Sequence, residues 1–310
     1  MLGRVGTLSV PRTSARLGAG TRATSAPRRR HPLFRGLDAG GGVGLLLVAL
    51  VVVVAILAPL IEPRDPLAQD IARRLKPPGY VDARAGSFWL GTDGLGRDML
   101  SRLIEGARVS LLVGASSTLI SAVLGTTLGL TAGYLGGWWD ALIMRVVDVF
   151  QAIPFTILAI AVAVVLGPSL RSVIIVLGIS SWVNYARVVR GETLAQRNSE
   201  FVVAARGLGA DSRRVLLRHV LPQVNASIIV LSSLLVGSMI LFEASLSFLG
   251  LGVQPPTPSW GNMVLDGVEP IRVAWWVSLF PGLAILLTLM GINLAGDWLR
   301  DALDPRQRAL

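Results

Sequence analysis

The chain has 310 residues, is 52% hydrophobic and only 15% charged, and carries a formal net charge of +10 with no cysteine and two histidines. That balance excludes a single soluble core, disulfides and thiolate chemistry, argues against a histidine metal cluster, and calls for several bilayer-crossing segments. The basic residues flank the apolar runs, where the positive-inside bias accounts for them without a nucleic-acid partner.

Residues 1–42 are polar and proline-interrupted, with Arg28, Arg29 and Arg30 at their centre, and read as a disordered basic cytoplasmic tail. Val43 to Ile61 is long enough for a first transmembrane helix. Pro59-Leu60-Ile61-Glu62 offers no small-residue cleavage site, so a signal-anchor is expected rather than a cleaved signal peptide. With the connection that follows, it makes up a first region, 43–107. Lys76 is the sole lysine, and Leu75-Lys76-Pro77 is no phosphate loop. If ATP drives this protein, another chain binds it.

The polar connection from Glu62 to Arg108 is nearly balanced in charge. Toward its end Asp98 can cap a helix whose Met99, Leu100, Leu103, Ile104 and Ala107 face one way. Asp98 with Arg102, and Glu105 with Arg108, stand at spacings where opposite charges meet on a helix, which predicts an interfacial helix leading into a span. That second span, about Val109 to Leu135, carries Gly125, Gly129 and Gly133 on one stripe, a seam either against a helix of another chain or inside this chain.

A third span, roughly Ala141 to Leu166, has Arg145 and Asp148 near its entrance and is interrupted by Pro154. A short fourth span, about Ser172 to Tyr185, ends in Trp182, Asn184 and Tyr185. The fifth runs from about Ala226 to Glu243, whose carboxylate either faces a cavity or lies in the headgroup region. Ser245 to Ala274 forms an outer loop in which Trp260, Met263, Val264 and Leu265 can make an apolar patch, contacting a delivery protein outside or packing as a re-entrant plug. Trp275 to Leu294 is the sixth span. A core of five helices thus occupies 108–303, and 304–310 is a second cytoplasmic tail.

Between the fourth and fifth spans lies the stretch around which the chain is organised, Asn198 to Pro222. Ser199 is the expected N-cap of a helix in which Phe201, Val202, Ala204, Ala205 and Leu208 fall at helical spacing until Gly209 breaks it. Asp211 restarts a second helix, Val215, Leu216, Val220 and Leu221 beside Arg213, Arg214 and Arg218, which Pro222 ends or kinks. Over 186–222 the basic residues Arg187, Arg190, Arg197, Arg206, Arg213, Arg214 and Arg218 outnumber Glu192, Glu200 and Asp211, whereas 245–274 has Arg272 against Asp266 and Glu269. The asymmetry predicts six spans with both termini and the 187–222 loop cytoplasmic.

The spacing Ala204-Ala205, three residues, Gly209, nine residues, His219 to Pro222 resembles the EAA loop of ABC-importer permeases, with Val203 where a glutamate is often found and His219 where isoleucine is common. Leu-Gly-Thr-Asp-Gly-Leu-Gly-Arg-Asp at 90–98, Gly-Ala-Arg-Val-Ser-Leu at 106–111 and the 249–270 loop resemble the dipeptide/oligopeptide branch, the DppC/OppC type. The resemblance implies an all-α, six-helix type I importer permease in the cytoplasmic membrane. It implies a non-catalytic subunit partnered by a second homologous permease, one fused or two separate ABC ATPase subunits that hold ATP and magnesium, and an extracytoplasmic substrate-binding protein.

It further implies that Glu200, Ala204, Ala205, Arg206, Gly209, Arg213, Arg214, His219, Leu221 and Pro222 form the ATPase-coupling element, that closure of the ATPase dimer rocks the permease halves, and that the cargo is a di- or oligopeptide. Glu243, Asp148 and Asn184 are candidates for the translocation path. A nickel chelate, glutathione or another small solute is the alternative cargo. A self-contained channel or secondary transporter is the alternative class, against which stand the lack of an evident inverted repeat and the scarcity of ionisable residues in the spans.

Overall fold

The computed structural model describes residues 39–303, so the two tails expected at 1–42 and 304–310 lie almost wholly outside the described residues. Among the described residues five helices are long and apolar enough to cross a bilayer, or six if one bent pair counts as a span. They are α1 (Ala39–Ile61), α2 (Met99–Leu135), α5 (Leu170–Gln196), the rod Ser212–Phe248, and α10 (Trp276–Leu303).

The bent pair is α3 (Gly137–Ala152) and α4 (Phe155–Leu166), which meet at 89°. Pro154 causes the break. It has no backbone N–H to donate and pushes Ile153 out of the helical region, to φ −87° and ψ 119°. The interruption expected in the third span is therefore a right-angled elbow.

Two expected segments are longer than the hydrophobic pattern suggested. The interfacial helix and the second span are one 37-residue helix, α2, about 55 Å long at 1.5 Å per residue and far longer than a hydrocarbon core. Asp98 caps it, accepting from the Ser101 N–H at 2.8 Å. The anticipated Asp98–Arg102 pair does not form, because Asp98 is spent on the cap and on Arg64 at 3.7 Å. Arg102 turns instead to the buried Asp93 and to Asp266. The fourth span likewise continues to Gln196, since its polar second half is neutralised from α3 by Asp148 on Arg187 and Asp140 on Arg190.

The glycine stripe packs within the chain. A Cβ at Gly125 would lie 2.3 Å from the Trp182 carbonyl of α5, one at Gly129 2.7 Å from the Ala186 carbonyl, and one at Gly133 2.7 Å from Cβ of Thr193. Three bare turns of α2 thus let its backbone rest directly on α5, where lipid supplies no hydrophobic drive for association. Ser121 adds a hydrogen bond to the Gly178 carbonyl at 2.7 Å. α1 lies on α10 in the same manner, with Gly44 against the backbone of Leu294 and Ala295.

Outside the helices, the 62–98 connection folds into an ordered cap. It includes a small antiparallel hairpin, β1 (Tyr80–Asp82) and β2 (Gly86–Phe88), that the hydrophobic pattern does not announce. Asp93 is fully buried and receives the Arg97 guanidinium at 2.6 Å as well as Arg102, while Asp266, in the short helix α9 (Trp260–Asp266), closes the cluster at 3.2 Å from each arginine. Trp276 of α10 donates to the Thr92 carbonyl at 3.1 Å, and Trp260 of α9 to the Leu103 carbonyl at 3.0 Å. Buried charges persist only when paired, and here both arginines are.

At the edge of this cap, just beyond α1, burial and the neighbouring Glu105 carboxyl push the Glu62 carboxyl up to about 7, opposed by Arg108. A carboxyl whose pKa is higher folded than unfolded binds the extra proton in the folded state, so its contribution is present below about 4.5 and lost as pH rises toward 7. Thermal denaturation of the purified protein across pH 4.5 to 7 is expected to show a fall in stability that Glu62→Gln flattens. Gly129→Leu should cost on the order of 1–3 kcal/mol or more by overpacking the seam, seen as a lowered melting temperature in detergent.

Candidate functional site

The Asn198–Pro222 stretch forms two elements hung beneath α2 and α5. The first is α6 (Glu200–Gly207), which buries Val202 and Ala205 against Leu130 and Tyr134 of α2 and Val189 of α5. Ser199 occupies the cap position, but its hydroxyl donates back to the Gln196 carbonyl at 2.7 Å and does not cap the helix, contrary to expectation. At the far end Gly209 has φ +85°, the Gly209 N–H reaches the Arg206 carbonyl at 2.9 Å, and the Ala210 N–H reaches Ala205 at 3.0 Å. These are the two bonds of a Schellman closure, and they require the left-handed residue that glycine supplies at no steric cost.

Asp211 then caps α7 (Ser212–Val215), accepting from the Arg214 N–H at 3.1 Å. Of the two outcomes expected at Pro222, an end or a kink, the helix does not end there. One π-helical turn, Leu216–Val220, intervenes, and the chain continues as α8 (Leu221–Phe248). Pro222 lacks the N–H that an α-helical ladder would need, and the widened turn, closed by the Leu221 N–H on the Leu216 carbonyl, takes up the mismatch. The second element is therefore the foot of a rigid rod running from residue 212 to 248.

The two elements turn inward only Val202, Ala205, Val215 and Val220. Glu200, Ala204, Arg206, Gly209, Arg213, Arg214 and Pro222 are exposed, while His219 and Leu221 are half-buried. Arg206 lies over the Tyr134 ring at 4.8 Å and donates to its hydroxyl at 3.3 Å, tying α6 to the end of α2. Phe201 and Leu208 fall at helical spacing with the buried Val202 and Ala205. Both point out, and Leu208 is 90% exposed. Val203 and Leu217 are exposed as well, so four apolar side chains of this arginine-bearing stretch are left uncovered by the described residues.

The candidate path residues separate. Glu243 is fully buried within the chain: it accepts from Ser247 at 2.7 Å and Ser110 at 3.3 Å, with the Ser259 hydroxyl beside it. It joins α8 to α2 and to the start of α9. Asp148 is exposed and paired with Arg187 at 2.9 Å, and Asn184 is exposed on α5. Trp260 and Met263 are buried in the chain's own core, as the packed alternative has it, whereas Val264 is half-buried and Leu265 is exposed. Residues 125–309 match the family described as "Binding-protein-dependent transport system inner membrane component", and 40–78 match the "N-terminal TM domain of oligopeptide transport permease C".

The chain belongs to the binding-protein-dependent transport permeases. Among curated members it is 46% identical over 263 residues to the di/tripeptide transport system permease protein DppC of Pseudomonas aeruginosa, spanning 85% of this chain and 87% of that protein. It is 41% identical over 267 residues to the dipeptide transport system permease protein DppC of Alkalihalophilus pseudofirmus, covering 86% of each. It is 46% identical over 264 residues to the glutathione transport system permease protein GsiD of Escherichia coli O157:H7, covering 84% of each. A chain of the MetNI methionine ABC transporter in an inward-facing conformation shares the fold, with a TM-score of 0.54 at 20% identity over 66% of this chain and 98% of that one.

This permease is a non-catalytic subunit, and no group of metal-ligating side chains occurs among its described residues. Sequence reasoning missed Tyr134, Leu208 and Leu217. Tyr134 lies 72 residues from the arginine it holds, and Leu208 is rotated outward by the Schellman turn, which periodicity alone does not register. Glu243→Leu should lower the melting temperature of the purified permease by several degrees, because the Ser110 and Ser247 hydroxyls lose their acceptor, and Glu243→Gln by clearly less.

Proposed function

We propose that this permease moves di- or oligopeptides inward across the cytoplasmic membrane, with its Asn198–Pro222 element seated in a cleft of a separate ABC ATPase that binds ATP and magnesium. The observation that carries this reading is the exposed knob of Val203, Leu208 and Leu217 at the foot of the 212–248 rod, rimmed by Arg206, Arg213 and Arg214. An apolar patch with a polar rim, held rigid by the α2–α5 seam, is a surface built for a partner. The rod gives that partner a lever. Closure of an ATPase dimer displaces the foot, and the helix transmits the displacement through the bilayer to Glu243 and the outer cap.

In this reading six spans, counting the α3–α4 elbow as one, place both termini on the cytoplasmic side with the coupling element. A second, homologous permease completes the pore, and an extracytoplasmic binding protein delivers cargo to the cap. Shifting such a permease from about 1:99 to 99:1 between two states takes roughly 5.5 kcal/mol of differential binding, which a loosely seated loop could not transmit. Glutathione is the second reading for the cargo, favoured by the 46% identity to GsiD.

Two substitutions test the coupling. Gly209→Val strains a residue held at φ +85°, and Leu208→Asp places a charge in the apolar knob. Both variants are expected in the membrane at wild-type levels. Peptide uptake should fall at least tenfold, and Leu208→Asp should release the ATPase during purification in mild detergent. Wild-type uptake by both variants would remove the coupling role.

A further inference from the structure

A cavity of about 210 Å³ opens at the α3–α4 elbow. Its polar lining is Gln151 from the last turn of α3 and Ser180, Ser181 and Asn184 from α5, and Phe155 and Phe242 stand against it with ring centroids 4.6 Å apart. The serines have partners inside the chain, Ser180 on the Val176 carbonyl and Ser181 on the Met239 sulfur. The two amide side chains have none among the described residues. Asn184 is exposed between the buried Val183 and Tyr185, so it is directed out of an otherwise well-packed stretch of helix. An amide without a partner in a membrane-spanning segment is costly unless water or a ligand meets it.

The polar surface continues along the same two helices. One turn from Gln151 and Asn184 stand Asp148 and Arg187, paired at 2.9 Å with side chains 58% and 47% exposed. Next comes Asp140 with Arg190, at 2.6 Å between Oδ2 and Nη2. Exposed charges within spanning helices mark a wet route rather than a lipid face. The route grades from ion pairs near the Gly137 and Gln196 ends of α3 and α5 to neutral amides at the elbow.

We infer that the elbow cavity binds the main chain of a translocating short peptide through the side-chain amides of Gln151 and Asn184, a reading that rests on the importer function above. Each amide offers a donor and an acceptor, the complement of a peptide bond. No charged side chain lines the cavity, so peptide termini and charged side chains are not selected there, and the phenylalanine wall accepts apolar groups of varied shape. The site reads the backbone and tolerates the sequence.

The test uses the whole importer in proteoliposomes, with the binding protein saturated in turn by alanyl-alanine and by alanyl-lactate, its ester counterpart, which lacks the peptide N–H. The wild type is expected to import the amide three- to tenfold faster than the ester, the range of one lost hydrogen bond. The Gln151→Leu/Asn184→Leu variant should import both at the same reduced rate. If that variant does not assemble, Asn184→Ala is read by the same ratio. An amide-to-ester ratio unchanged in the variant, or equal to one in the wild type, overturns the inference while leaving the importer function in place. A wild-type complex that imports neither compound overturns both.

Discussion

Direct backbone contact between α2 and α5 is the constraint on which the rest of this permease depends. Bare turns at Gly125, Gly129 and Gly133 bring the two helices so close that the α5 carbonyls at Trp182, Ala186 and Arg190 fill the space side chains would occupy. In lipid, apolar burial drives no association, so shape and close contact decide which helices stay together. Everything of functional interest hangs from this pair. Tyr134, one residue past Gly133, holds Arg206 of α6, and Val189, facing Gly129, packs with the same cluster as Val202 and Ala205. The elbow cavity takes Asn184 from the same stretch of α5.

The second structural principle is the division of polar groups by depth. At the outer cap, Asp93, Arg97, Arg102 and Asp266 are packed into one cluster that fastens the connection, α2 and α9 to each other. Deeper, Glu243 is surrounded by serine hydroxyls, which satisfy a buried carboxyl while leaving α8 joined to α2 and the α9 loop. Along α3 and α5, Asp148, Gln151, Asn184 and Arg187 are exposed instead. The same residue types therefore serve as fasteners where they are buried and as a wet surface where they are not, and only burial tells them apart.

The rod from Ser212 to Phe248 links these layers. One end carries Arg213, Arg214 and Arg218, and the other carries Glu243 and Ser247. Pro222 falls inside it without breaking it, because a π turn widens the helix where the missing N–H would otherwise leave a gap. A continuous element of this length, joining the 198–222 stretch to the Glu243 cluster, is what the proposed coupling needs.

Much of this was legible from the amino-acid order. The apolar runs, the Asp98 cap, the Pro154 interruption, the glycine at 209 and the lack of a phosphate loop are local facts, each the outcome of chemistry within a few residues. They determined a multi-pass helical membrane protein and pointed to the coupling role proposed for the 198–222 stretch. Tertiary structure decided what local chemistry cannot: that Arg102 goes to Asp93 and Asp266 rather than to Asp98, that Trp260 and Met263 are interior, that Leu208 faces out, and that Gln151 meets Asn184 at one cavity. Periodicity reports which side of a helix is apolar. In a bundle whose lipid-facing, core-facing and partner-facing sides are all apolar, it cannot say which of the three a given side will meet, and only the packing of distant segments does.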